Sequence, residues 1–174
     1  MKSDVREIYC IDASAFITMH RFYPIRLIPD LWSHLEELFA QKKILSHQIV
    51  FDEIVPKNGK KDDLAQWLNR FRQNFIPISQ RQLELIQDIL SKYPKLIDPE
   101  SEKDQADPWM VAMLIEMMEK DGMFGEQSNY IMVTTESEKS SIKLPAACKH
   151  YNIRHMNLFE FFEANNFEFS VKRK

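Results

Sequence analysis

Glycine is scarce in this chain, with three residues in 174. Phosphate loops of the Gly-x-Gly-x-x-Gly or Walker kind need glycine at fixed places, and neither pattern occurs. Cysteine is scarcer still. Cys10 and Cys148 stand far apart among apolar neighbours, which suits two buried thiols rather than a disulfide or a zinc pair. The five histidines, His20, His34, His47, His150 and His155, show no zinc-like spacing with those cysteines. Long apolar runs are missing: none approaches the ~20 residues that a membrane-spanning helix requires. Residues 1–7 are too polar for the core of a signal peptide, so the expected compartment is the reducing cytoplasm. A basic excess is missing as well. The net charge is −3, and nothing global advertises a nucleic-acid binder. Local clusters remain: Lys57, Lys60 and Lys61 in one loop, and Lys42 with Lys43.

What is present is the composition of one packed domain, expected to span residues 1–174. Hydrophobic residues make up 44% and charged residues 28%, as in ordinary globular chains. At this length roughly 70% of the unfolded surface can be buried, so the core needs no staple.

Strand-like and helix-like segments alternate. Ile8-Tyr9-Cys10-Ile11 reads as a buried strand, followed at once by Asp12-Ala13-Ser14. Residues 29–42 read as a helix, with Leu31, Leu35, Leu38 and Phe39 at helical spacing. Ile44-Leu45 is a very short strand. Ser46 is the expected N-cap of a helix to Val55, which Pro56-Lys57-Asn58-Gly59 breaks. Residues 62–74 read as a helix, 75–78 as a linker or brief extended piece, and 93–103 as a loop. Ser79-Gln80-Arg81-Gln82 matches a capping box that opens a helix to Lys92. Asp107-Pro108 opens an apolar, central helix, ended by Asp121-Gly122, with Met110, Met113, Met117 and Met118 at core spacing. A strand at 130–133, a short helix at 145–150, a strand at 153–156 and a helix from the Asn157 cap to Ala164 complete the chain. This alternation implies an α/β fold with a mostly parallel sheet and helices on both faces.

Four acids share one positional logic. Asp12 ends the first strand, Glu53 lies in the helix after Ser46, Asp107 starts the apolar helix, and Glu136 follows the late strand. Strand carboxyl ends and helix amino ends gather at one edge of such a sheet, so the four can converge. Each has a plain structural alternative. Asp107 before Pro108 makes a good N-cap, Glu53 beside Asp52 is an ordinary helix-surface acid, and Glu136 near Glu138 is an ordinary loop charge. Asp12 is the hardest to explain away, because a carboxylate closing a buried strand costs free energy unless it is paired, hydrogen-bonded or metal-bound. Converging carboxylates repel and raise one another's pKa. A hard divalent cation removes that penalty, and oxygen-only ligation suits Mg²⁺ or Mn²⁺ rather than zinc. Trp32, Trp67 and Trp109 are the size to stack on bases, but all three fall on helices with apolar partners and are read as core. His20 is read as a surface or core histidine.

In order and spacing, these motifs resemble the PIN-domain nucleases of the VapC-like kind, and especially a PIN-like branch catalogued mainly as a domain of unknown function. The resembling pieces are Tyr9-Cys10-Ile11-Asp12-Ala13-Ser14, Ser46-x-x-x-Val50-x-x-Glu53, Ala106-Asp107-Pro108-Trp109-Met110-Val111-Ala112, and Val133-Thr134-Thr135-Glu136. Lys143-Leu144-Pro145-Ala146-Ala147-Cys148 and the stretch 159–167 follow. The resemblance covers nearly the whole chain and implies a PIN-like three-layer α/β/α sandwich. It implies that Asp12, Glu53 and Asp107 bind Mg²⁺ or Mn²⁺ as first, second and third acid. Glu136 falls on the fourth position, where many relatives carry Asp or Asn. Asp104 is an alternative or auxiliary ligand, and Ser14 and Thr134 match small hydroxyl positions beside the acids. The implied activity is metal-dependent hydrolysis of RNA, leaving 3′-hydroxyl and 5′-phosphate ends, by the toxin of a type II toxin–antitoxin pair. The implied partners are RNA, an antitoxin protein and a second copy of the chain. Lys57, Lys60 and Lys61 would guide the phosphate backbone. The rival expectation is a PIN-fold nucleic-acid-binding or regulatory module without turnover, favoured by the acidic charge and the glutamate at the fourth position. A phosphatase using Asp12 as nucleophile fits worse, since Ser14 stands where that chemistry wants a second acid.

Overall fold

Strand β1 (Arg6–Ile11) carries buried residues at four consecutive positions, Ile8 to Ile11. Such a run, rather than alternation, marks a strand covered on both faces. The computed structural model describes residues 5–101, 105–125, 127–136 and 143–170. Within them β1, β2 (Ile44–His47), β3 (Phe75–Ile76), β4 (Ser128–Val133) and β5 (Arg154–Met156) form one five-stranded sheet in the order β3-β2-β1-β4-β5. Every described pairing is parallel, with Tyr9 opposite Ile44 on one side of β1 and Ile11 opposite Val133 on the other.

Eight α-helices cover the sheet among the described residues: α1 (Ala13–Phe22), α2 (Pro29–Ala40), α3 (Gln48–Ile54), α4 (Asp63–Asn69), α5 (Gln80–Lys92), α6 (Asp107–Phe124), α7 (Leu144–His150) and α8 (Leu158–Ala164). Successive strand residues face opposite sides. Tyr9 meets Phe161 of α8 edge-on at 5.1 Å. Cys10, its neighbour, faces the other layer, where burial and then the nearby Cys148 of α7 push its thiol pKa up. Right-handed crossovers put α1–α4 on one face and α5–α7 on the other. The fold is therefore a three-layer α/β/α sandwich with a parallel sheet. The chain leaves β1 toward β2 and leaves β4 toward β5, so the strand order reverses between β1 and β4. Ligands of open α/β sheets bind outside the strand carboxyl ends at such a reversal.

Several local expectations change. Ser46 caps nothing: it is buried inside β2, and its hydroxyl donates to the Ile11 carbonyl at 2.6 Å. The strand runs two residues further, and His47 caps α3 by accepting the Ile49 N–H on Nδ1 at 3.0 Å. The helix expected over residues 62–74 stops at Asn69, and a 3₁₀ turn Arg72–Asn74 follows. There the buried Asn74 amide donates to the carbonyls of Phe39 and Ile44, which seats β3 as an edge strand where a linker was one expectation. Helix α6 passes through Asp121-Gly122 and ends at Gly125, whose φ of 70° takes the left-handed position that glycine tolerates. An interior glycine costs only about 1 kcal/mol relative to alanine, too little to stop the helix. Past its buried first half α6 leaves the core, so Met118 is 39% exposed and not a core residue. Trp32 and Trp67 are buried and pack edge-on at 4.8 Å. No described helix is long and apolar enough to cross a membrane.

Candidate functional site at the carboxyl edge of the sheet

Asp12 leaves β1 in extended conformation and at once becomes the N-cap of α1. Its Oδ1 accepts the Ala15 N–H at 2.8 Å, and the Ser14 hydroxyl reaches both carboxylate oxygens at 2.9 Å. Helix α1 went unpredicted because strand and helix share this residue and leave no loop between them. Capping accounts for part of Asp12's presence, but not for its burial at 1% exposure. Burial pushes its carboxyl pKa up to about 6; hydrogen bonds from Thr134, Ala15 and Ser14 pull down, and the charge of Glu136 pushes up.

The turn after β4 is tied to the turn after β1 through Ser14. Thr135 donates its N–H and its hydroxyl to Ser14 Oγ at 3.2 and 2.9 Å. Glu136 donates its N–H to Thr134 Oγ1 at 3.1 Å. Its carboxylate accepts the Leu144 N–H at 3.0 Å, and Lys143 Nζ lies 3.9 Å from its other oxygen.

Glu53 is exposed near the end of α3, and its Oε1 accepts the Ala106 N–H at 2.7 Å. That bond docks α3 onto the start of α6. Ala106, not Asp107, is the N-cap of α6 and offers no side-chain bond, so capping does not explain Asp107. The half-buried Asp107 carboxyl is pushed up to about 8, by burial first, then by the negative charges of Asp12, Glu136 and Glu53, with Lys143 pulling the other way. Repulsion of this kind places Asp12, Glu136 and Glu53 within electrostatic reach of Asp107, and Glu136 within reach of Asp12.

Of the other expected residues, Ser14 and Thr134 join this constellation. Asp104 lies outside the described residues. Lys57 and Lys60 are exposed and Lys61 is half-buried. Lys60 and Lys61 border a cavity of about 480 Å³ with His20 and Arg26, and Lys57 and Lys61 border one of about 310 Å³ with Asp52 and Arg72.

Sequence reasoning missed two residues. The buried His47 caps α3, lies nearly parallel to the half-buried Trp109 ring of α6 (centroids 5.7 Å, 19°) and bonds Gln82 Oε1 at 3.0 Å through Nε2. Gln82 donates onward to the buried Glu116 at 2.8 Å. No local pattern announces such a histidine. Lys143, beside Glu136, carried one weak signal: a basic residue standing just ahead of a Leu-Pro helix start.

The donor set is oxygen throughout, and its self-repulsion is what a hard divalent cation relieves, so in chemistry the residues fit Mg²⁺ or Mn²⁺. Among the described residues, however, no three His, Cys, Asp or Glu side chains are grouped as ligands, and Glu53 and Glu136 are turned onto backbone N–H groups.

The family described as "Domain of unknown function (DUF4411)" matches residues 9–169. No curated protein matches the chain. Among solved structures, PAE2754 from Pyrobaculum aerophilum is similar at 14% identity, over 93% of this chain and 98% of that one, with a TM-score of 0.48.

Proposed function

We propose that this chain, which belongs to the DUF4411 family, is a metal-dependent ribonuclease that hydrolyses RNA phosphodiester bonds at the carboxyl edge of its sheet. The observation that carries the reading is Asp107, whose carboxyl is raised to about 8 by burial and by three other acids at the reversal of strand order. Acids perturbed by burial and by one another in such a place are candidates for a functional site. Asp12, Glu53 and Asp107 would hold Mg²⁺ or Mn²⁺, with Glu136 assisting. The bound cation supplies neutralisation of phosphate charge and acidification of water. Ser14 and Thr134 orient the Asp12 carboxylate, so that it is presented without a rotamer search. The resemblance to toxin nucleases extends the proposal to the toxin of a type II pair, with an antitoxin protein, a second copy of the chain and backbone contacts from Lys57, Lys60 and Lys61.

The test compares wild type with Asp12→Asn on mixed RNA in Mn²⁺. Cleavage by wild type and at least a hundredfold less by the variant is expected. Equal cleavage by both sinks the assignment. One observation favours the second reading, a PIN-fold binding or regulatory module: Glu53 and Glu136 spend their carboxylates on helix-start amides. Mn²⁺ and RNA binding without turnover by wild type would select it.

A further inference from the structure

We infer that Lys143 is the phosphate-binding residue of this site, its ammonium group receiving a non-bridging oxygen of the RNA phosphodiester beside Glu136. The inference rests on the nuclease reading above and names the group that meets the substrate's charge. Its first support is position. Lys143 Nζ stands 3.9 Å from Glu136 Oε1, at the limit of an ion pair, while its side chain stays 53% exposed. A partly exposed pair this loose contributes about 0–1 kcal/mol, so Glu136 does not consume the ammonium group. Among the described residues its N–H donors meet no acceptor closer than this one.

The second support is how firmly its base is held. The next N–H, of Leu144, is bonded to Glu136 Oε2 at 3.0 Å. The Leu144 side chain is fully buried, and Pro145 follows with its φ fixed by the ring. One glutamate therefore pins the backbone from which the lysine reaches out. The third support is the contrast with the other lysines. Lys57, Lys60 and Lys61 differ, since the cavities they border are shared with Asp52, Asp62 and Asp63 and not with the four acids. A lysine is a compact, strongly hydrated charge with three donors, suited to a single phosphate oxygen.

A lysine that only steadied the fold and one that binds phosphate differ in their effect on metal. Removing a positive charge from the acid edge tightens Mn²⁺ binding, whereas a loosened fold weakens it. The experiment uses Lys143→Met and Lys143→Arg, each also combined with Asp12→Asn. A labelled single-stranded RNA reports affinity by anisotropy in the Asp12→Asn background, and electron paramagnetic resonance reports Mn²⁺ affinity with Asp12 intact. The methionine variant should bind RNA about tenfold more weakly, the loss of one charge-assisted hydrogen bond. Its log K against log salt slope should be shallower by about 0.7, its Mn²⁺ affinity higher, and arginine should restore RNA binding. Unchanged RNA affinity and salt slope in the methionine variant, beside a wild type that still cleaves, would remove Lys143 and leave the nuclease reading standing. Weakened Mn²⁺ binding in the methionine variant would reassign the residue to the fold. A wild type that neither binds nor cleaves RNA would overturn the nuclease reading, and this inference with it.

Discussion

Replacing Asp107 by asparagine should stabilise the metal-free protein. Its carboxyl rises from an ordinary 3.8 to about 8 on folding. A raised acid costs nothing below its unfolded pKa; the cost then grows with pH and levels off above the folded pKa. At about 1.4 kcal/mol per pH unit, the cost at pH 7 reaches ~4 kcal/mol. Asp12 shares the same repulsion, and water reaches the half-buried group, so about half of that, ~2 kcal/mol, is the expected gain for Asp107→Asn. Urea unfolding followed by tryptophan fluorescence in EDTA measures it. The gap should fall below ~1 kcal/mol at pH 5 and widen toward pH 8.5. Mn²⁺ should then stabilise wild type and not the variant, by ~2.7 kcal/mol at a hundredfold excess over the dissociation constant. An asparagine variant no more stable than wild type at pH 8.5, or a gap that narrows as pH rises, would refute the claim that Asp107 sits in the field of the other acids.

Two further predictions follow from the same edge. Burial lowers the pKa of His47 below its ordinary 6.5, so the stability held in its neutral form is complete above that value and is lost as pH falls below it. His47→Asn, which keeps a cap acceptor for the Ile49 N–H, should flatten that acid-side slope in a pH series of urea midpoints; an unchanged slope would acquit the histidine. Ser14→Ala removes a donor to Asp12 and the acceptor of two Thr135 bonds. It should cost about 1–2 kcal/mol and raise the Asp12 pKa further, read by carbon-detected NMR of the carboxyl; a fall in that pKa would contradict the assigned direction of the Ser14 bond.

The layered α/β plan was legible because periodicity is local. Buried β1, the capping box at Ser79 and the Pro108 helix start each occupy a few adjacent residues. The acid order was legible for the same reason, since Asp12, Glu53, Asp107 and Glu136 each close or open an element. What escaped depends on partners distant in the chain. Nothing near residue 47 says that its imidazole will meet Gln82 and Trp109, so Ser46, the better cap by type, is what the sequence points to. Nothing near Glu53 announces the Ala106 amide 53 positions away. Strand β3 has two residues, too few to leave a pattern, and it exists because β2 offers an edge and Asn74 fills the carbonyls beneath it.

The pairing of β1 with β4, residues 6–11 against 128–133, also sets a time at which the edge can assemble. Chains emerge N-terminal end first, at about 5–20 residues per second. Asp12 is therefore made early and waits for the strand that supplies Thr134 and Glu136. Until that strand arrives, β1 lacks a neighbour and the Asp12 carboxylate lacks two of its companions. A stop codon or a proteolytic cut between α6 and β4 yields a fragment with three of the four acids and no assembled edge. The order of synthesis thus delays any chemistry of this edge until β4 and the turn after it have been made.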